Sequence, residues 1–307
     1  MIRLFSWLAV ALVLAHPAAA QEPSTTAPGT GAVTERFSMT VHLDENGTFD
    51  LTNIIGNVVV GTRPGRDVTI EAIKRVERPN PNAARILLRM IDVQVTELGN
   101  RVEVRTVVPR PRNFPGSVDY TITVPADVRV SVRTTSGAIR TSNAVVDTLK
   151  VVSGDIEVTD GSADFFTASS VSGTIAVRRL KVQAMQLNTV SGSVTLDTVR
   201  AERVVARAIG GDIHYVGELA PGGRYEFVSH AGNIGVLLPT TTGFQLQANT
   251  FSGSVRSDFA VSRRGRENAE GAPAAAAAPR ALRGAFGDGS AMLILRAFSG
   301  NISVGRR

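Results

Sequence analysis

Two aspartates stand in matching contexts, Asp155 in "VSGDIEV" and Asp212 in "IGGDIHY". A pair of carboxylates is what polysaccharide hydrolysis uses, one as acid and the other as base or nucleophile. Both follow a repeated glycine by one residue, but they lie three repeats apart. At the usual strand spacing that is about 14 Å, whereas glycosidase pairs span roughly 5–9.5 Å. The same position elsewhere holds Ala138, Thr174, Ser193, Asn233, Ser254 and Asn301. These small residues suit turns, so a structural turn role is expected for both aspartates.

Histidine chemistry is no better supplied. Past the first twenty residues there are three histidines, His42, His214 and His230. His214 and His230 fall in adjacent repeats, three after and two before their glycines, so they do not converge. With no cysteine in the chain, thiolate ligands and disulfides are excluded, and neither a metal nor any other cofactor is expected. Serines recur before the glycines and mark corners, which leaves no distinctive nucleophile. "GELAPGG" at 217–223 lacks the Lys-Ser/Thr and following helix of a phosphate loop and reads as a turn.

Charge gives one further candidate. Residues 256–307 carry nine arginines against Asp258, Glu267, Glu270 and Asp288, and this segment accounts for most of the formal charge of +6. Arg263, Arg264, Arg266, Arg280 and Arg283 are the candidate contacts to an anionic surface. No aromatic residue is interleaved at 263–266 to stack bases, so nucleic acid is not an expected partner.

The elements that carry these residues come from a repeat. Gly137, Gly154, Gly173, Gly192, Gly211, Gly232, Gly253 and Gly300 are spaced by 17, 19, 19, 19, 21, 21 and 47 residues. A period near 20 residues is the mark of a stacked architecture. Two after each glycine stand Ile139, Ile156, Ile175, Val194, Ile213, Ile234, Val255 and Ile302, all β-branched. Five before it stand Val132, Leu149, Ala168, Leu187, Ala206, Phe227, Ala248 and Leu295, without a polar member. Seven before it the series is apolar except for Asp147. Alternation with polar positions makes each repeat two short strands around a Ser-Gly corner. Glycine there tolerates positive φ or close approach of the next layer. Serine is expected to hydrogen-bond the corner backbone.

The expected fold is therefore all-β: a solenoid of parallel strands with coils of about 19–21 residues, preceded by an N-terminal β region with one short helix. That helix is placed at 81–91, where Asn80 caps, Pro81 opens and "ARILLRMI" has helical spacing. A weaker copy of the repeat surrounds Gly56, and the coil around Gly300 is expected to close the stack.

"VDYTITVPADVRVSVRTTSGAIRT", the successive Ser-Gly-x-Ile/Val-x-Val units and the closing "GDGSAMLILRAFSGNISV" resemble the bacterial putative-adhesin family of domains of unknown function. The resemblance covers about 37–307. It implies a right-handed, single-strand-wide parallel β-solenoid in an exported protein, and it brings no catalytic residues. The long basic insert departs from the compact family pattern.

The expected organisation is a signal peptide at 1–20, carried by Arg3, the run "WLAVALVLA" and "HPAAA"; a flexible linker at 21–36; a strand-rich N-terminal region at 37–133; and solenoid repeats at 134–307 with a disordered basic, Ala-rich insert at about 261–288. No later segment is apolar and long enough to cross a bilayer as a helix. Together these point to a non-enzymatic exported protein, periplasmic or at the cell surface, presenting its surface to an envelope protein or glycan or self-associating through the solenoid ends. The alternative is a polysaccharide lyase or hydrolase on the same scaffold.

Overall fold

A computed structural model describes residues 32–109, 114–241, 243–261 and 279–307. Each repeat supplies a longer strand before its glycine and a shorter one after it, and the two kinds segregate into two sheets, each of twelve strands among the described residues. Sheet A stacks Ile139–Ser142, Ile156–Thr159, Ile175–Arg178, Val194–Asp197, Ile213–Val216 and Ile234–Leu238 in parallel. Sheet B stacks the preceding strands, from Arg129–Ser136 to Arg224–Ser229, in the same sense. The fold is the expected β-solenoid.

Register explains the columns. Ile139, Ile156, Ile175, Val194, Ile213 and Ile234 pair successively and are wholly buried. Facing them, Val132, Leu149, Ala168, Leu187, Ala206 and Phe227 form a second buried file. Leucines and Phe227 in this file alternate with alanines, so bulk in one layer fills space left by the next. Asp147 is no exception to the third file. A register shift in Val145–Ser153 sets Val146 opposite Val130, and Asp147 points outward and is exposed.

The corner glycines are fixed by close approach. An added Cβ at any of the eight would lie 1.9–2.3 Å from the carbonyl oxygen of the glycine in the layer beneath. At Gly211 and Gly232 this holds without a left-handed φ, so contact between layers suffices to require glycine. The serines before the glycines serve the corner through their carbonyls, Ser153, Ser172 and Ser191 accepting the N–H of Gly137, Gly154 and Gly173, and not through their hydroxyls. Instead the residue three before the glycine reaches the layer beneath: Ser170, Thr189, Ser229 and Thr250 donate to the carbonyls of Gly154, Gly173, Gly211 and Gly300 at 2.9–3.2 Å. The opposite corner uses left-handed residues that are not glycine, Asn143, Asp160, Arg179 and Thr198, at φ of +51° to +57°.

The layers do not follow chain order at the C-terminal end. Ile302–Arg306 inserts between Ile234–Leu238 and Val255–Ser257, and Ala291–Ser299 inserts likewise between Arg224–Ser229 and Phe244–Ser252. The Gly300 coil is therefore second to last, and the Gly253 coil closes the stack. Gly300 packs on Gly232, and Gly253 packs on Gly300.

A similar displacement occurs at the other end. The Gly56 copy is a true coil, its strands Thr48–Thr52 and Val58–Arg63 lying between those of 101–125 and those of the Gly137 coil. Both sheets thus run on into the N-terminal region. Antiparallel strands Ala32–His42 and Asp67–Glu77 close one edge there, and Asp92–Glu97 closes the other. The helix is Pro81–Arg89, capped by the Asn80 side chain.

The leader at 1–20 and most of the 21–36 linker lie outside the described residues, but Ala32–His42 is already strand where linker was expected. Residues 262–278 of the insert also lie outside them. Its last part is ordered: Ala281–Phe286 pairs antiparallel with Phe244–Ser252 and caps sheet B.

Candidate functional site

The residues singled out for chemistry are mostly committed to the scaffold. The Asp155 carboxylate accepts the Thr174 N–H at 2.7 Å, and Asp212 accepts that of Asn233 at 2.7 Å. The ladder continues as Asn233 accepts from Asn301 and Asn301 from Ser254. These side chains bond one layer to the next, the turn role expected of them. Their pairing follows the reordered coils. His42 lies 3.1 Å from Asp67, both exposed. His214 points outward from sheet A and His230 from sheet B, so the two are kept apart. Residues 217–223 form a turn closed by buried tyrosines, with Tyr215 donating to Glu218 O and the Tyr225 hydroxyl accepting from Ala220. Burial pushes both phenols above the usual tyrosine range, and Tyr120 is pushed up to about 12 by the same cause.

The basic insert lies only partly within the described residues. Arg263, Arg264 and Arg266 lie outside the described residues. Arg280 and Arg283 are exposed around the capping strand, Arg283 opposite Gln247.

A different surface gathers side chains from seven successive layers. Two residues before the glycines, in stacking order, stand Val152, Val171, Val190, Ile209, His230, Phe298 and Phe251. All are exposed, and the six hydrophobic ones are 41–67% accessible. The last three rings stack nearly parallel, His230 on Phe298 at 4.6 Å and Phe298 on Phe251 at 4.9 Å, each pair within 5°. Six strand spacings make this ladder about 29 Å long. Soluble monomers seldom expose a contiguous apolar stripe of this kind.

Beside the ladder on the same outward face runs the column four before the glycines: Arg133, Lys150, Ser169, Asn188, Arg207, Val228, Arg296 and Asn249. It contains no acid. The carboxylates behind it are recessed, Glu226 being 16% exposed and lying 3.6–3.8 Å from Arg207, Arg224 and Arg296. Asp50 is similarly placed beneath Arg101 and Arg133. The guanidinium groups stand proud of these carboxylates, so the face presents positive charge.

At the far side of sheet B, where each coil enters its long strand, runs a groove of about 790 Å³. Successive coils contribute Ser162, Ala163 and Asp164, then Lys181, Val182 and Gln183, then Arg200, Ala201 and Glu202. None of Asp164, Lys181, Arg200 and Glu202 forms an ion pair with a described residue. Among the described residues no group of His, Asp and Glu is arranged to hold a metal.

Neither surface was singled out by sequence reasoning. The signal for the ladder was present in the column two before the glycine, which holds no charged residue apart from histidine.

Residues 93–280 match the model of the family described as Toastrack DUF4097. Solved structures similar to this chain include a putative adhesin from Bacteroides fragilis, at 14% identity and a TM-score of 0.49, covering 88% of this chain and 97% of that one. Another is a putative lipid binding protein from Parabacteroides distasonis, at 10% identity and a TM-score of 0.42, covering 89% and 96%. A putative adhesin from Parabacteroides merdae shares 12% identity at a TM-score of 0.36, covering 67% and 90%. No curated protein matches the chain.

Proposed function

Because the chain belongs to the Toastrack DUF4097 family, we propose that it is a non-enzymatic, exported, adhesin-like protein of the cell envelope, periplasmic or at the surface, whose solenoid presents a binding or assembly face. The observation that carries this reading is the exposed ladder from Val152 to Phe251. Burying an exposed valine or isoleucine inside would stabilise the fold by roughly 1.5–3 kcal/mol, yet seven consecutive layers leave this position in water. A partner that covers the ladder recovers that free energy. An envelope protein, a glycan or a second copy at the solenoid ends would each fit an adhesin-like role.

The test is to express the full chain with a C-terminal tag, determine the mature N-terminus by mass spectrometry, and size what is retained in envelope extracts. The reading predicts cleavage after Ala20 and an envelope-bound species that is lost on replacing Val171, Val190 and Ile209 by serine. A chain kept in the cytoplasm, or a monomer that no envelope fraction retains, contradicts it.

The enzyme reading has one observation in its favour. Asp164 and Glu202 stand two layers apart in the groove, about 9.6 Å by strand spacing, near the upper limit for an inverting glycosidase. Turnover of a polysaccharide that disappears in Asp164→Asn and Glu202→Gln would establish it.

A further inference from the structure

We infer that the outer face of sheet B docks on an anionic lipid surface, the ladder entering the acyl boundary while the adjoining basic column meets the headgroup phosphates. The inference rests on the reading of this face as the binding surface and names its partner. Two independent columns carry it. Phe298 and Phe251 are 48% and 67% exposed at one end of the ladder, continued by His230, Ile209, Val190, Val171 and Val152. Two residues earlier on the same strands, Lys150, Arg207 and Arg296 lie on the same face, joined by Arg133 one layer below. A hydrophobic stripe flanked by cations is the pattern by which proteins lie on anionic bilayers.

Charge selects among possible occupants. A second copy laid ladder against ladder with the stacks antiparallel would bring these cations together, and with the stacks parallel it would set them against the corner glycines, which carry no acid. A soluble polyanion would satisfy the guanidinium groups but leave the ladder wet. An anionic bilayer satisfies both columns at once, and its headgroups contribute to binding for each Lys or Arg held near the surface. Of the carboxylates on this face, Glu226, Asp50 and Glu103 are recessed and already faced by arginines, so they offer little repulsion, and exposed Asp147 lies three residues before Lys150 on its strand.

The experiment measures co-sedimentation of the full mature chain with vesicles of equimolar phosphatidylglycerol and phosphatidylcholine, and with phosphatidylcholine alone. Expected is binding to the anionic vesicles that weakens with salt. It should fall about fivefold for each arginine removed in Arg207→Gln and Arg296→Gln, and at least tenfold in Phe251→Ser/Phe298→Ser. Arg140→Gln and Arg256→Gln, on the outer face of sheet A, should leave it unchanged. Inorganic phosphate and soluble alginate serve as competitors and should displace little protein.

No binding to anionic vesicles overturns the inference. So does binding insensitive to the phenylalanine pair, or capture by alginate that needs the arginines but not the phenylalanines. If vesicle binding fails while serine substitution of the ladder still abolishes retention in envelope extracts, the lipid assignment falls and the binding-face reading stands. If both fail, both fall.

Discussion

Replacing Gly211 by alanine adds one methyl group at a point where the layer beneath leaves no room for it. The new Cβ would lie 1.9 Å from the Gly192 carbonyl oxygen and 2.5 Å from its carbon, with ordinary contact beginning at 3.4 Å. Gly211 lacks the left-handed φ of most corner glycines, so the substitution tests layer contact without added backbone strain. Opening the layers by the missing distance must break the ladder bonds on either side, Gly210 N–H to Val190 O at 2.8 Å and Val194 N–H to Asp212 O at 2.9 Å. Losing these two hydrogen bonds costs about 2 kcal/mol in all. Gly222→Ala is the control, because its φ is +75° and nothing lies within 4 Å of its added Cβ. Its cost is conformational only, about 1 kcal/mol. Urea unfolding followed by circular dichroism measures both, with the m-values compared to show that the same surface is exposed. Equal losses in the two variants, or a Gly211→Ala loss no larger than that of the control, would refute the close-approach account of the corner.

Tyrosine gives a pH test. The chain has three tyrosines; Tyr120, Tyr215 and Tyr225 are all buried, with raised pKa values. Each holds its proton more tightly folded than unfolded, so its contribution is complete below pH 10 and is lost as pH climbs toward the folded value, about 12 for Tyr120. Melting temperature should therefore drop between pH 10 and 12, and tyrosinate absorbance at 295 nm should appear only with unfolding; titration near pH 10 in the folded protein contradicts this. Thr198→Gly, at a left-handed corner with φ +54°, should raise stability by about 0.5–1 kcal/mol, since glycine relieves the strain but loses more chain entropy; an unchanged or lower urea midpoint contradicts it. Asp212→Ala removes the acceptor for Asn233 N–H and should cost about 1 kcal/mol, and no polysaccharide turnover should depend on it.

The inward columns were legible because the backbone imposes them. A residue two after each glycine has to fit between sheets, and only β-branched residues stand there, whatever else varies along the chain. The corner glycine was legible for the same reason, although its cause, the carbonyl of the layer beneath, is a contact between residues about 20 apart in sequence. The hydroxyls of Ser170, Thr189, Ser229 and Thr250 were missed because their column also contains Val151, Ala208 and Ala297. The left-handed corner was missed because Arg179 and Thr198 do not favour that conformation; ladder bonds hold them in it, such as Thr198 N–H to Val216 O at 2.8 Å. Coil order was illegible in principle. A coil's own residues are the same whichever coil lies above it, so nothing local marks the Gly300 coil as an insertion. That ordering decides which rings touch: Phe298 lies between His230 and Phe251, where chain order would set Phe251 on His230.

Cross-linking in the naturally cysteine-free chain tests the reordered stack, on which both the architecture and the continuous ladder depend. Neighbouring layers bring Cα atoms to about 4.8 Å, within disulfide range, whereas residues two layers apart are about 9.6 Å apart and outside it. The account predicts that His230→Cys/Phe298→Cys oxidises to a disulfide and that His230→Cys/Phe251→Cys keeps two free thiols. The reverse pattern, with position 230 joined to 251 and not to 298, would contradict it.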